Sequence, residues 1–264
     1  MAAKSRLDSE LVRRGLARSR EHAQSLVDSG RVRVGGLVAT KAATGVDPGA
    51  SVAVDESAGA DYVSRGGDKL AGGLAAFADL DVEGRRCLDV GASTGGFTDV
   101  LLRSGAREVV AVDVGYGQLA WSLRTDARVR VLERTNARSL RPEDLGGPVD
   151  LAVGDLSFIS LRLVLPALAT CVDRSGDMVL LVKPQFEAGR DQVGRGGVVR
   201  DPAVRAAAVI AVADAAGELG WGAAGVAASP LPGPAGNVEF FLWLRTDAGP
   251  IDHALVETVT GATA

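Results

Sequence analysis

The chain has 264 residues, room for one large α/β domain and a small module, and 47% of them are apolar, enough for a sizeable core. Its apolar runs fall far short of the roughly 20 residues a membrane-spanning helix needs, and Met1–Arg6 lacks the apolar stretch of a signal peptide. Two cysteines (Cys87, Cys171) and two distant histidines (His22, His253) offer neither a disulfide framework nor a metal centre, so a reduced, cytoplasmic protein without metal is expected.

The net charge of −4 is uneven, because residues 1–45 hold nine of the 29 Lys/Arg and four of the 33 Asp/Glu. A basic head on an acidic body fits a polyanion partner, or simply a solvated helical face. Within the head, Arg6–Leu16 carries Leu7, Leu11, Val12 and Leu16 at helical spacing, with Gly15 near its end. Ser19 stands where an N-cap would before a second helix, Arg20–Ser29, closed by Gly30. Arg31–Val34 alternates, Gly35–Gly36 turns and Leu37–Ala39 returns, so two short helices on a small β element are expected. Thr44–Ala60, rich in Ala, Gly, Asp and Ser, reads as one more strand around Val52 and Val54 and then a joint. The expected division is 1–60 for the module with its linker and 61–264 for the larger domain.

Arg65 and Lys69 come at the start of an apolar helix running to Phe77 and on their own would pass for solvated cations. Next comes Cys87–Val90, a short buried strand, then Gly91–Ala92–Ser93–Thr94–Gly95–Gly96, then a helix over Phe97–Arg103. Strand, glycine-rich turn and helix form the first unit of a nucleotide-binding α/β fold, in which a ligand can lie against a backbone lacking side chains. Ser93 stands where the dinucleotide pattern G-x-G-x-x-G needs glycine, and D-x-G-x-x-x-G-G starting at Asp89 suits S-adenosylmethionine better. Further strands are expected at Val109–Val112, Val129–Leu132, Val149–Val153, Met178–Val182, Gly225–Ala228 and Val238–Leu244, with a helix at Asp201–Leu219. Asp113, about twenty residues after the first glycine, is placed to accept the ribose hydroxyls of a bound adenosine, or to cap its strand. Val114–Leu119 would wrap the adenosine, and Asn136–Ala137 would read the adenine edge. The expected cofactor set is therefore Asp89, Gly91, Ala92, Ser93, Gly95, Gly96, Phe97, Asp113, Val114, Asn136, Ala137 and Asp155.

Four polar residues stand out among apolar neighbours: Lys69, Asp155, Lys183 and Glu239. Each alone reads equally well as half of a buried salt bridge. Together they resemble the K-D-K-E set of FtsJ-type ribose 2′-O-methyltransferases. Under that resemblance Lys183 positions a ribose hydroxyl and takes its proton, its basicity tuned by burial and by Lys69, while Asp155 and Glu239 orient the lysines. Phe186–Val199, with four glycines, Arg190 and Arg195 and no apolar period, is expected to be a mobile lid over the RNA side, or else a disordered connection.

The head, R-L-D-x-x-L-V-x-x-G-L-A-x-S-R-x-x-A-x-x-L-V-x-x-G-x-V-x-V-x-G, resembles the S-four RNA-binding domain. That resemblance implies phosphate contacts from Arg6, Arg18, Arg20, Arg31 and Lys41; Arg65, Arg190 and Arg195 would add to them. From Arg6 to Arg245 the chain resembles the TlyA family of ribosomal-RNA 2′-O-methyltransferases, also called haemolysins, through D-V-G-A-S-T-G-G-F-T, D-V-G-Y-G-Q-L-A-W, E-R-T-N-A-R, D-L-S-F-I-S, V-K-P-Q-F-E and S-P-L-P-G-P-x-G-N-V-E-F-F-L-W-L-R. The resemblance implies a Rossmann-like, S-adenosylmethionine-dependent α/β domain with a seven-stranded, mostly parallel sheet behind a small α+β RNA-binding domain. It further implies methylation of cytidine 2′-hydroxyls in ribosomal RNA of the large subunit and, for the longer type this chain resembles, the small subunit. Ribosomal RNA or ribosomal subunits are the expected partners, and the chain is expected to act as a monomer. Where such relatives carry R-x-W-V at the joint, this chain has Ala60–Asp61–Tyr62–Val63. A pore former would need an amphipathic or long apolar segment, a small-molecule methyltransferase would not need the basic head, and a non-catalytic RNA-binding factor would not need the four polar residues together.

Overall fold

The computed structural model describes residues 4–17, 19–28, 30–55, 62–233 and 235–262, with the backbone only at 21, 25, 28 and 190. The chain divides into two compact units, Met1–Asp68 and Lys69–Ala264.

In the first unit β1 (Ser5–Arg6) leads into α1 (Leu7–Arg13) and α2 (Arg20–Asp28), followed by β2 (Val32–Val34), β3 (Leu37–Val38), β4 (Gly45–Val46) and β5 (Val52–Val54). β1 pairs antiparallel with β4, and β3, β2 and β5 form a second small sheet in that order. The helical stripe expected from the sequence packs as such, since Leu7, Leu11, Ala23, Leu26 and Val27 meet Val32 and Val46 in one core. α1 is shorter than the apolar spacing implied. Its end is set by the backbone N–H of Arg14 and Gly15, which turn back on Glu10 and Val12, with Gly15 at φ +73°.

α3 (Arg65–Ala76) leads into the second unit, whose elements are β6 (Arg86–Val90), α4 (Gly96–Arg103), β7 (Glu108–Val112), α5 (Trp121–Arg124), β8 (Val129–Leu132), α6 (Pro142–Leu145), β9 (Val149–Gly154), α7 (Leu165–Cys171), β10 (Val172–Val182), α8 (Pro184–Glu187), α9 (Pro202–Glu218), β11 (Gly222–Ala228), β12 (Phe240–Arg245) and α10 (His253–Thr260). Seven strands form one sheet in the order β11-β12-β10-β9-β6-β7-β8, parallel except for β12. Their near-continuous apolar runs, such as Met178–Val182 and Phe240–Leu244, are buried throughout, as a sheet covered on both faces requires. This is the Rossmann-like, mostly parallel seven-stranded sheet expected from the sequence. The strand order reverses between β6 and β9, and a ligand crevice opens beyond the carboxyl ends of strands at such a point.

Three expected strands differ at their ends. β11 begins at Gly222, three residues before the expected Gly225. β10 begins at Val172, six residues before the expected Met178: Val172 pairs with Val149 of β9, and after a register shift the ladder resumes at Asp177. β12 begins at Phe240, which leaves Glu239 just outside the ladder with its carbonyl accepting from the Ser229 N–H at 2.8 Å. The start of α9 is capped locally: Asp201 accepts from the Ala203 N–H at 2.9 Å and Pro202 opens the helix.

Candidate active site

Strand register decides what meets at the crevice. Val90 of β6 lies opposite Gly154 of β9, Gly154 opposite Leu180 of β10, and Val182 opposite Phe240 of β12. The residues that follow or precede these pairs, Gly91, Asp155, Lys183 and Glu239, therefore share one edge of the sheet. Lys183, 7% exposed, places Nζ 2.5 Å from Asp155 Oδ1 and donates to Ser157 Oγ at 2.8 Å. Lys69, buried on α3, donates to Glu239 Oε2 at 2.5 Å, and Gln185 reaches the other oxygen of Glu239 at 3.5 Å. The four residues thus form two ion pairs, not one pool of charge. Glu239 lies at contact distance from Lys69, where it offsets the charge that the sequence expects Lys69 to bring near Lys183. Removing one member of such a buried pair leaves the other uncompensated, a cost of about 3–5 kcal/mol.

The glycine turn is built for close approach. Gly91 has φ +84°, and a Cβ there would lie 2.8 Å from the backbone oxygen of Asp155, so only glycine lets the ends of β6 and β9 close together. Ser93 holds φ +48°, and its N–H donates to Asp113 Oδ2 at 2.8 Å while the Gly115 N–H donates to Oδ1 at 2.6 Å. A small cavity lined by Ala92, Ser93, Asp113, Gln118, Leu119 and Glu133 opens here. Each Asp113 oxygen keeps acceptor capacity for a hydroxyl.

Several expected cofactor contacts face elsewhere. Asp89 is 0% exposed and accepts from the Thr98 hydroxyl at 2.6 Å, so it braces the start of α4 from inside the sheet and does not line the crevice. Burial pushes its carboxyl up to about 7, and among the described residues its Oδ1 finds no hydrogen-bond partner. The Phe97 ring turns into the core against Phe241, with centroids 6.0 Å apart. A Cβ on Gly95 would lie 2.3 Å from Leu123 Cδ1, so packing at φ +97° by itself calls for glycine here. Gly96 and Ala137 are buried, Val114 is exposed, and the Asn136 side chain caps the Arg138 N–H at 3.0 Å.

The structure adds residues that the sequence did not single out. Phe158 is 90% exposed at φ +64° and leans on Phe186 with centroids 5.2 Å apart, while Lys183 Nζ lies 6.0 Å from the centre of the Phe186 ring. A β-region residue would not aim its ring this way, and a non-glycine residue at positive φ beside a candidate lysine is a functional signal. The D-L-S-F motif held both Ser157 and Phe158, but nothing in it revealed their direction. The buried Asn237 accepts from the Val199 N–H at 2.9 Å and donates to the Gly197 carbonyl at 2.8 Å. The segment expected to be a mobile lid starts within α8, contains single turns of 3-10 helix at Arg190–Gln192 and Arg195–Gly197, and is pinned at its far end by Asn237.

In the first unit the buried Asp8 gathers two of the expected RNA contacts, Arg6 at 2.8 Å and Arg20 at 3.0 Å, and the Arg6 hydrogen bond holds its carboxyl well below the usual range. Both guanidiniums stay mostly exposed, as does Lys41, whereas Arg31 donates to the Asp55 carbonyl at 3.0 Å. Arg65 opens α3 and Arg195 is exposed. Arg18 and the Arg190 side chain lie outside the described residues.

Residues 62–246 match the FtsJ-like methyltransferase family and residues 5–52 the S4 domain. Over 97% of its length the chain is 64% identical to the 16S/23S rRNA (cytidine-2′-O)-methyltransferase TlyA of Mycobacterium tuberculosis, covering 94% of that protein. A protein described as a hemolysin from Streptococcus thermophilus superposes with a TM-score of 0.78 at 41% identity, over 99% of this chain and 96% of its own. Another so described, from Lactococcus lactis, superposes at 0.72 with 46% identity over 76% of this chain and 97% of its own. Among the described residues no helix is long and apolar enough to cross a membrane.

Proposed function

The chain belongs to the TlyA family of FtsJ-like methyltransferases with an S4 domain, and from that membership we propose that it methylates the 2′-hydroxyl of cytidines in ribosomal RNA of the large and small subunits, using S-adenosylmethionine. The observation that carries this reading is the meeting of Lys183–Asp155 and Lys69–Glu239 at the sheet edge where the ends of β6 and β7 lead into the recess lined by Ala92, Ser93 and Asp113.

The residues present fit the cofactor. The recess lined by Ala92, Ser93, Asp113 and Gln118 leaves room for a ligand, and Asp113 offers acceptors to ribose hydroxyls. When bound, S-adenosylmethionine supplies a methyl group already activated on a sulfonium. The protein's share is alignment and a proton. Lys183, sheltered from water, orients the 2′-hydroxyl and, in its neutral amine form with a free lone pair, receives its proton, and Asp155 and Ser157 hold the amine in place. Lys69–Glu239, neutral as a pair, closes the crevice beside it. The exposed Phe158 ring offers a flat apolar face on which the base attached to that ribose can stack. Arg6, Arg20 and Lys41 supply phosphate contacts to folded RNA.

Mapping 2′-O-methyl groups on ribosomal RNA from cells with and without the gene tests the reading. Methylated cytidines that vanish with the gene, and return when purified protein and S-adenosylmethionine are added to the RNA, are expected. An identical map in both strains would overturn it.

A further inference from the structure

Two carboxylates line the recess, and the function above uses only Asp113. The other, Glu133, follows β8 directly. Its Oε1 accepts from the Gly117 N–H at 2.7 Å and also binds the Arg124 guanidinium at the end of α5. Between the two carboxylates runs a short loop, 114–118. Its near end is fastened by the Gly115 N–H on Asp113 at 2.6 Å, and its far end by Gly117 on Glu133. Val114 and Tyr116 on this loop point outward, 69% and 68% exposed, with the Arg134 guanidinium over the Tyr116 ring. Such a loop has little apolar packing to fix its position and relies on its hydrogen bonds. The wall it continues into, Gln118 and Leu119, lines the recess. The Arg124 hydrogen bond holds the Glu133 carboxyl below the usual range, so this tie stays charged at neutral pH.

We propose that Glu133 is a positioning residue of the cofactor pocket: with Arg124 it latches the 114–118 loop to β8 and so keeps the Gln118–Leu119 wall closed around the adenosine. The latch rests on the reading of this recess as the S-adenosylmethionine site.

Calorimetry on the full chain with S-adenosylhomocysteine tests both. Glu133→Gln and Arg124→Met should each weaken binding about tenfold, the effect of one charge-assisted hydrogen bond in a partly exposed site. The double variant should be no weaker than Glu133→Gln alone, because both changes remove the same charge pairing between Glu133 and Arg124. Circular dichroism should stay that of the unmodified chain, and turnover at saturating cofactor should change less than twofold, effects that a general loss of structure would not produce. If Glu133→Gln fails to fold, Arg124→Met decides alone. Wild-type affinity in a folded single variant, or strictly additive effects, would overturn the latch while leaving the cofactor reading intact. No binding by the unmodified chain would overturn the cofactor reading and the latch with it.

Discussion

Lys183 Nζ sits 2.5 Å from Asp155 Oδ1, joining the carboxyl ends of two adjacent parallel strands. The contact makes Lys183 both a structural partner and the candidate base, and two variants separate the roles. Lys183→Ala should lose turnover by roughly 10²–10⁴-fold, the range for general acid–base catalysis, with cofactor and RNA affinities near wild type. Lys183→Arg keeps the charge but cannot give up its proton, so it should fail as well. Substantial turnover by the arginine variant in a single-turnover methylation assay would reduce Lys183 to an electrostatic group.

Asp89 ties stability to pH. An aspartate in the unfolded chain ionises near 3.9, while burial raises Asp89 to about 7. Between those values the unfolded chain has released a proton that the folded chain keeps. Stability therefore falls as pH rises from about 4 to about 7 and levels off above, by about 4 kcal/mol at most. Asp89→Asn should flatten that slope. Urea midpoints at pH 5, 6, 7 and 8 for both proteins read the difference, and parallel slopes would show that Asp89 does not cause it.

Gly95 is predicted to matter for folding before binding. Its φ of +97° and the 2.3 Å approach of a Cβ to Leu123 Cδ1 leave no room for a side chain. Gly95→Ala should cost about 2 kcal/mol or more without any ligand. A melting temperature equal to wild type in the cofactor-free protein would return this glycine to the role of ligand cradle.

Arg6 and Arg20 share the buried carboxylate of Asp8 and keep their guanidiniums open to solvent. Replacing both with alanine should weaken binding to ribosomal RNA fragments and flatten the salt dependence, by a slope of about 0.7–0.9 for each phosphate that is no longer neutralised. Cofactor affinity should not move. An unchanged salt slope in filter binding would make the basic surplus of the first 45 residues a solvated face.

Local pattern by itself determined the strands, the two short helices of the head, the glycine turn after β6 and the acidic end of β7. These depend on side-chain period, on glycine at positive φ and on a carboxylate near a strand end, all written within a few residues. It also named the four polar residues of the crevice. Tertiary structure alone decided their partners: Lys69 finds Glu239 170 residues away, because the antiparallel β12 returns beside β10 and brings Glu239 level with Lys183. It likewise turned Asp89 and Phe97 inward and left Phe158 outside. Which way a side chain points at a turn, and what charge stands opposite it, is set by register and packing between distant strands, and no local period carries that information.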